Sequence, residues 1–319
     1  MAIEHERFDN FDHLEPIPYQ YGIVVTGCTM VAFFALNRFV YYMGPPKHVA
    51  VKDSWKWRNL FGSWFHALII GSWDISCFLM FPDMVVDLVG YHDMYSYTMI
   101  AVTTGYFFYD FVDIVISGRT RTSWEVLLHH VVVAGTFFYN LILCRCIAYT
   151  AVALLAEVNS FFLHSRKLMQ MLQIRFDAPL YRLNVYLNLL SFILCRFIPL
   201  IWIIYGMLMW YYRVEPSYLI ILSLDLFVMW VVNIVLFWRL LTNDIIRPTK
   251  TKSPAPKQQN GLEITANNNK SHEKLNYNCN GSYANHNSCS RDHINISDYQ
   301  LRDKLINNHV SNGFKPKLS

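Results

Sequence analysis

Two adjacent histidines, His129 and His130, stand inside an otherwise apolar stretch from Trp124 to Leu143, and the apolar run before it carries Asp110 and Asp113. Imidazole beside carboxylate is the raw material of general acid–base chemistry. A carboxylate on one ring nitrogen fixes the tautomer and raises the basicity of the other. An imidazole can also act as a nucleophile that takes an acyl group and passes it on. Hydrocarbon surroundings tolerate ionisable side chains poorly, so four in one neighbourhood need a reason. Asp110 and Asp113, at i and i+3, share a helix face. His129 and His130 lie about 100° apart around a helix, so one is expected to face a cavity and the other a neighbouring helix. The competing reading is that His–Asp pairs act only as glue between membrane helices. On the first reading His129, His130, Asp110 and Asp113 are the candidate catalytic residues.

The elements that must position them are apolar runs. The chain has 319 residues, 54% hydrophobic and 16% aromatic, yet its mean hydropathy is only +0.22. The reason is an uneven distribution: apolar runs up to about Ile246, and a polar, Asn-rich tail after Arg247. Seven runs reach bilayer length: 19–43, 60–80, 94–117, 124–143, 147–165, 185–212 and 217–241. In lipid each must be a helix, because an open strand would leave backbone groups unpaired. The expected fold is therefore all-α, a polytopic membrane helical bundle of about seven transmembrane helices with a disordered C-terminal tail. Its parts are an extracellular or lumenal segment 1–18, a first transmembrane anchor 19–43, a six-helix domain within 55–241 and the tail 247–319. Gly44-Pro45-Pro46 and Phe81-Pro82 end runs, and Pro216 opens one. Pro199 lies within the sixth run and is expected to kink it.

Lysine and arginine alternate between the connecting segments. Segments 44–59, 118–123, 166–184 and the start of the tail are rich in them; the other side has only Arg7, Arg145 and Arg213. This predicts an outside or lumenal N-terminus and a cytosolic tail. With that threading, His66, Asp110, Asp113, His129, His130, Glu157, Asn159 and His164 all fall in the cytosolic half of four helices. His66, Glu157, Asn159 and His164 are thus expected to line a cavity shared with the histidine pair. Deeper in the bundle, Arg196 and Asp225 are expected to form a structural ion pair. No metal is expected, since the intramembrane histidines lack the HxxxH and HxxHH spacing of membrane di-iron enzymes. Nucleic acid is not an expected partner. A seven-helix receptor would share the topology, but the third run ends Asp113-Ile-Val-Ile-Ser-Gly rather than in an Asp/Glu-Arg-Tyr-like triplet, and the seventh reads Asn233-Ile-Val-Leu-Phe rather than Asn-Pro-x-x-Tyr.

The stretch Trp55-x-Trp57-Arg58-Asn59-Leu60, then Gly105-Tyr106-Phe107 running into Asp110-x-x-Asp113, then Ser123-Trp124-Glu125 leading to His129-His130, resembles the TLC-domain family. The resemblance covers roughly Trp55 to Leu241 and is closest to the branch of TLC domain-containing proteins one and two. It implies a helical bundle around a lipid-accessible cavity. In the ceramide synthases of this family the paired histidines are the catalytic centre, which carries that role to His129 and His130, with acyl-CoA as a candidate substrate and no bound cofactor. The synthases also carry a motif HDxSDxxLExxK. The corresponding stretch from Ala156 to Lys167 departs from it at Ala156, Glu157, Ser160 and His164, which turns the expectation away from ceramide synthesis. The nearer branch implies a regulator of the fatty-acyl composition of membrane phospholipids, and so of membrane fluidity. Its expected site is the plasma membrane, with the endoplasmic reticulum as the alternative. Its expected partners are phospholipids or fatty-acyl chains, or another membrane protein that it modulates.

Overall fold

In a computed structural model, residues 15–46 and 54–246 are described; the expected polar tail and most of the N-terminal segment lie outside them. Among the described residues every element is helical. Helix α1 is Tyr19–Met43, α2 Ser54–Met80, α3 Met94–Ile116 and α4 Trp124–Leu143. The fifth span runs as α5 (Ile147–Leu154) into α6 (Ala156–Met171). The sixth is α7 (Pro179–Phe192), a π turn (Ile193–Phe197) and α8 (Ile198–Trp210); the seventh is α9 (Pro216–Leu241). These seven spans are long and apolar enough to cross a membrane, and they begin and end close to the runs read from the sequence.

Lipid-exposed side chains form the outer surface. Val31, Leu79, Ile116, Leu208, Ile220 and Phe227 are all exposed, as they must be where the solvent is hydrocarbon. Inside, Ile70, Met99, Ile100, Ala148, Val152 and Phe192 are fully buried. Two glycines set the closest helix approaches. A Cβ at Gly105 of α3 would collide with the Thr26 carbonyl oxygen of α1, and one at Gly71 of α2 would stand 3.1 Å from the Val158 nitrogen of α6. Small residues at such crossings let backbones meet, which is how membrane helices gain contact without a hydrophobic drive between them. Helix α3 starts cleanly because the Asp93 carboxylate accepts hydrogen bonds from the Tyr95 and Ser96 N–H groups, each at 2.9 Å.

Polar links gather at the two ends of the bundle. At one end Trp55 Nε1 donates to Asp113 Oδ2 at 2.9 Å, Arg239 makes a two-pronged pair with Glu125 at 2.7 Å for each bond, and Arg166 Nε donates to Asp244 at 2.9 Å. At the other end Arg213 reaches Asp87 through two bonds of 2.8 and 2.9 Å, and the Cys146 N–H donates to the Val89 carbonyl. The first end collects the starts of α2 and α4 and the ends of α3, α6 and α9, as up-and-down threading requires.

Pro199 acts through the π turn in front of it. The Ile198 N–H reaches back five residues to the Ile193 carbonyl, so the wide turn absorbs the residue that proline prevents from bonding normally. The outcome is a local change of helical register carrying Arg196, within a span that continues to Arg213.

Candidate functional site

The histidine pair divides as the 100° step between neighbours requires. His130 Nδ1 lies 3.1 Å from Asp110 Oδ2 at ion-pair distance, although the ring N–H is not aligned for a hydrogen bond. The ring of His130 stacks on Phe107, with centroids 4.9 Å apart and planes 23° off parallel. His129 turns the other way, onto the wall of a cavity, with its Nδ1 3.2 Å from the Met229 sulfur. Asp110 and Asp113 do share a face, and Asn59 of α2 bridges them: its amide donates to Asp110 Oδ1 and, more weakly at 3.5 Å, to Asp113 Oδ2. Trp55 completes the set on Asp113. A chain of polar contacts thus leads from Trp55 and Asn59 through the two carboxylates to His130.

The cavity lies among α3, α4, α5–α6, α8 and α9. His129, Glu157, Arg196 and Asn233 line one end; Asn140, Tyr149, Thr150 and Tyr218 line the other. The wall between them is mostly apolar, with Val133, Phe137, Leu200, Leu222 and Leu226 among its residues. From His129 to Asn140 along α4 is roughly 16 Å, and from Tyr218 to Asn233 along α9 roughly 22 Å. That length is about the hydrocarbon depth of one leaflet.

Several expected cavity residues stand elsewhere. His66 is buried and stacked on Tyr106, with ring centroids 3.9 Å apart, and its Nδ1 lies 3.6 Å from Glu157 Oε2. It supports Glu157 from behind and is not on the wall. Asn159 lies two residues, some 200°, around α6 from Glu157 and faces α7, where its amide donates to the Asn188 carbonyl at 2.9 Å. His164 is two turns beyond Glu157, past the end of the cavity, with Nδ1 buried and without a partner. Of the eight polar groups expected to share one hollow, His129 and Glu157 line it; the Asp110–His130 pair sits next to it behind Phe107.

The expected Arg196–Asp225 ion pair does not form. Arg196 donates from Nε to Asn159 Oδ1 at 2.7 Å, from one terminal nitrogen to Asn233 Oδ1 at 2.8 Å and from the other to the Ser160 hydroxyl at 2.9 Å. Asp225 lies about 12 Å nearer the start of α9 than Asn233, beside Thr136 and with Oδ1 unpartnered. Both residues line the cavity. Asp74, also deep in the bundle, is fully buried with neither carboxylate oxygen hydrogen-bonded.

The far end of the cavity was not foreseen. Asn140 there, like Asn233 at the His129 end, carried the same signal as the histidines, an amide inside an apolar run. Tyr149 and Tyr218 carried none, because tyrosine is common near the ends of membrane spans. Among the described residues no group of three or more His, Cys, Asp and Glu side chains is placed to hold a metal ion.

Comparison with known proteins follows this geometry. Residues 56–242 match the TLC domain. A TLC domain-containing protein 2 from Danio rerio is 35% identical over 231 residues, covering 72% of this chain and 94% of the relative. A TLC domain-containing protein 1 from Homo sapiens is 34% identical over 226 residues, 69% of this chain and 89% of the relative. A TLC domain-containing protein 2 from Homo sapiens is 26% identical over 235 residues, with shares of 74% and 88%. No solved structure matches the chain.

Proposed function

Because the chain belongs to the TLC-domain family, we propose that it draws a single fatty-acyl chain into its helix bundle and thereby governs the acyl composition, and so the fluidity, of membrane phospholipids. The family and the seven apolar spans make it a multi-pass membrane protein of lipid-related kind. The observation that carries the finer reading is the cavity: mostly apolar between its ends, about as deep as one leaflet, and lined at one end by His129, Glu157 and Arg196. Such a space suits an alkyl chain entering from the bilayer. The distribution of Lys and Arg favours the Trp55 end of the bundle as cytosolic, and the family likeness favours the plasma membrane, with the endoplasmic reticulum as the alternative.

A second reading is favoured by the placement of His129. An imidazole on the wall of an acyl-sized cavity can attack the carbonyl of an acyl-CoA thioester, releasing the CoA thiolate and leaving an acyl-imidazole for transfer to an amine or hydroxyl. His130, with Asp110 at its Nδ1, would serve as the neighbouring base.

The test is lipid profiling of cells lacking the protein, rescued with intact protein or with His129→Ala, under fatty-acid challenge. Loss of the protein is expected to shift the acyl profile of phosphatidylethanolamine or phosphatidylcholine. An unchanged profile would overturn the proposal. Rescue by His129→Ala would remove the acyl-transfer version and leave chain binding in place.

A further inference from the structure

Arg196 lies at the middle of the sixth span, 17 residues from each end of Pro179–Arg213. A guanidinium does not discard its proton, so a full positive charge sits inside an apolar span, where an uncompensated ion is costly. Its three protein acceptors are neutral: the amide oxygens of Asn159 and Asn233 and the Ser160 hydroxyl. Among the described residues no carboxylate comes within ion-pair distance of it. Glu157, the acid at the same end of the cavity, lies toward His66 instead. A guanidinium has five N–H donors, so three bonds leave two for something else. The three acceptors come from α6 and α9 and clamp the group in place, the π turn presents it, and it lines the cavity.

We infer that the cavity receives its chain with an anionic head, the carboxylate of a non-esterified fatty acid, set against the Arg196 guanidinium and with the tail running toward Tyr149 and Tyr218. The two N–H groups left, one on each terminal nitrogen, can both donate to a carboxylate. A phosphodiester head would bring a second, bulky polar substituent into a space whose wall beyond Arg196 is mostly apolar. Past Arg196 the wall is mostly apolar, through Leu200, Ile203, Leu222 and Leu226, with Asp225 and Thr136 as the polar groups beside the tail. The inference rests on the reading that the cavity holds an acyl chain, and it names the chemical form of that chain.

The experiment uses purified full-length protein in phosphatidylcholine nanodiscs, with tritiated palmitate displaced by palmitate, methyl palmitate or lysophosphatidic acid. The methyl ester is expected to compete at least about tenfold less well than the acid. Arg196→Gln is expected to abolish that preference while the ester still binds, and Arg175→Ala, at an exposed ion pair outside the cavity, is expected to keep it. Equal competition by acid and ester in the intact protein would overturn the inference while sparing the cavity reading. Stronger competition by lysophosphatidic acid, lost in Arg196→Gln, would also overturn it and assign the site to phosphate. Failure of all three lipids to bind would overturn both readings. The acid–ester comparison needs no variant, so a misfolded Arg196→Gln would not shield the inference.

Discussion

His129 and His130 are neighbours in the chain and sit in different surroundings. His129 borders the cavity and touches Met229, while His130 stacks on Phe107 and faces Asp110. Asp110→Asn keeps a side chain of the same shape beside Asn59 but removes the charge facing His130. Formation of a hydroxylamine-sensitive acyl adduct is expected to fall by roughly 100-fold or more, with thermal melting little changed; a variant that forms the adduct at the normal rate would show that the carboxylate does not assist. The division of the histidines was legible beforehand because adjacent residues on a helix cannot face one point. The partners of Arg196 were not. Its pairing with Asp225 looked economical as charge matching, but which face of α9 meets α8 depends on the rotation of both helices. The π turn before Pro199 alters that rotation, and it leaves Asn233 opposite Arg196 with Asp225 two turns away.

At the scale of elements, the α1–α3 crossing at Gly105 admits no side chain. The methyl of Gly105→Ala would meet the Thr26 carbonyl oxygen, and overpacking of this kind costs about 1–3 kcal/mol. Gly135→Ala meets nothing within 4 Å and is expected to be neutral or slightly stabilising, as alanine is the better helix former by about 0.5–1 kcal/mol. Melting of the two variants in detergent tests the contrast; equal melting temperatures would show that α1 yields freely. Pro199→Ala restores a backbone donor and lets α7 and α8 run as one regular helix. Arg196 would then rotate away from Asn159 and Asn233, so palmitate binding is expected to weaken and melting to fall as the guanidinium loses its acceptors. The span boundaries could be read from composition because Pro and Gly punctuate them. The π turn could not, because proline signals a disturbance without saying whether the helix bends or widens.

At the scale of the whole molecule, buried and exposed ion pairs should contribute very differently. Asp87 is 1% exposed and its carboxylate is held by Arg213 from the turn after α8. Arg213→Ala strands that charge and is expected to cost about 3–5 kcal/mol, read as a large loss of thermal stability. Arg175→Ala removes an exposed pair with Asp177 and is expected to leave melting unchanged. Loss of stability on the second substitution and not the first would invert this account. The alternation of basic loops anticipated which ends of the helices gather together. It could not anticipate that Asp87 and Arg213 would lock one end, since neither residue stands out from an ordinary loop charge.

Tyr218 lies at the end of the cavity opposite His129 and stacks flat on Tyr139, with centroids 5.2 Å apart and planes 12° off parallel. A shaft with a rigid floor is a gauge. Straight hydrocarbon up to a set carbon count would lie fully inside, longer tails would jut out, and chains bent by several cis double bonds would jam. Shortening the floor with Tyr218→Ala should therefore move the preferred tail toward greater length in the same palmitate competition, run with a homologous series.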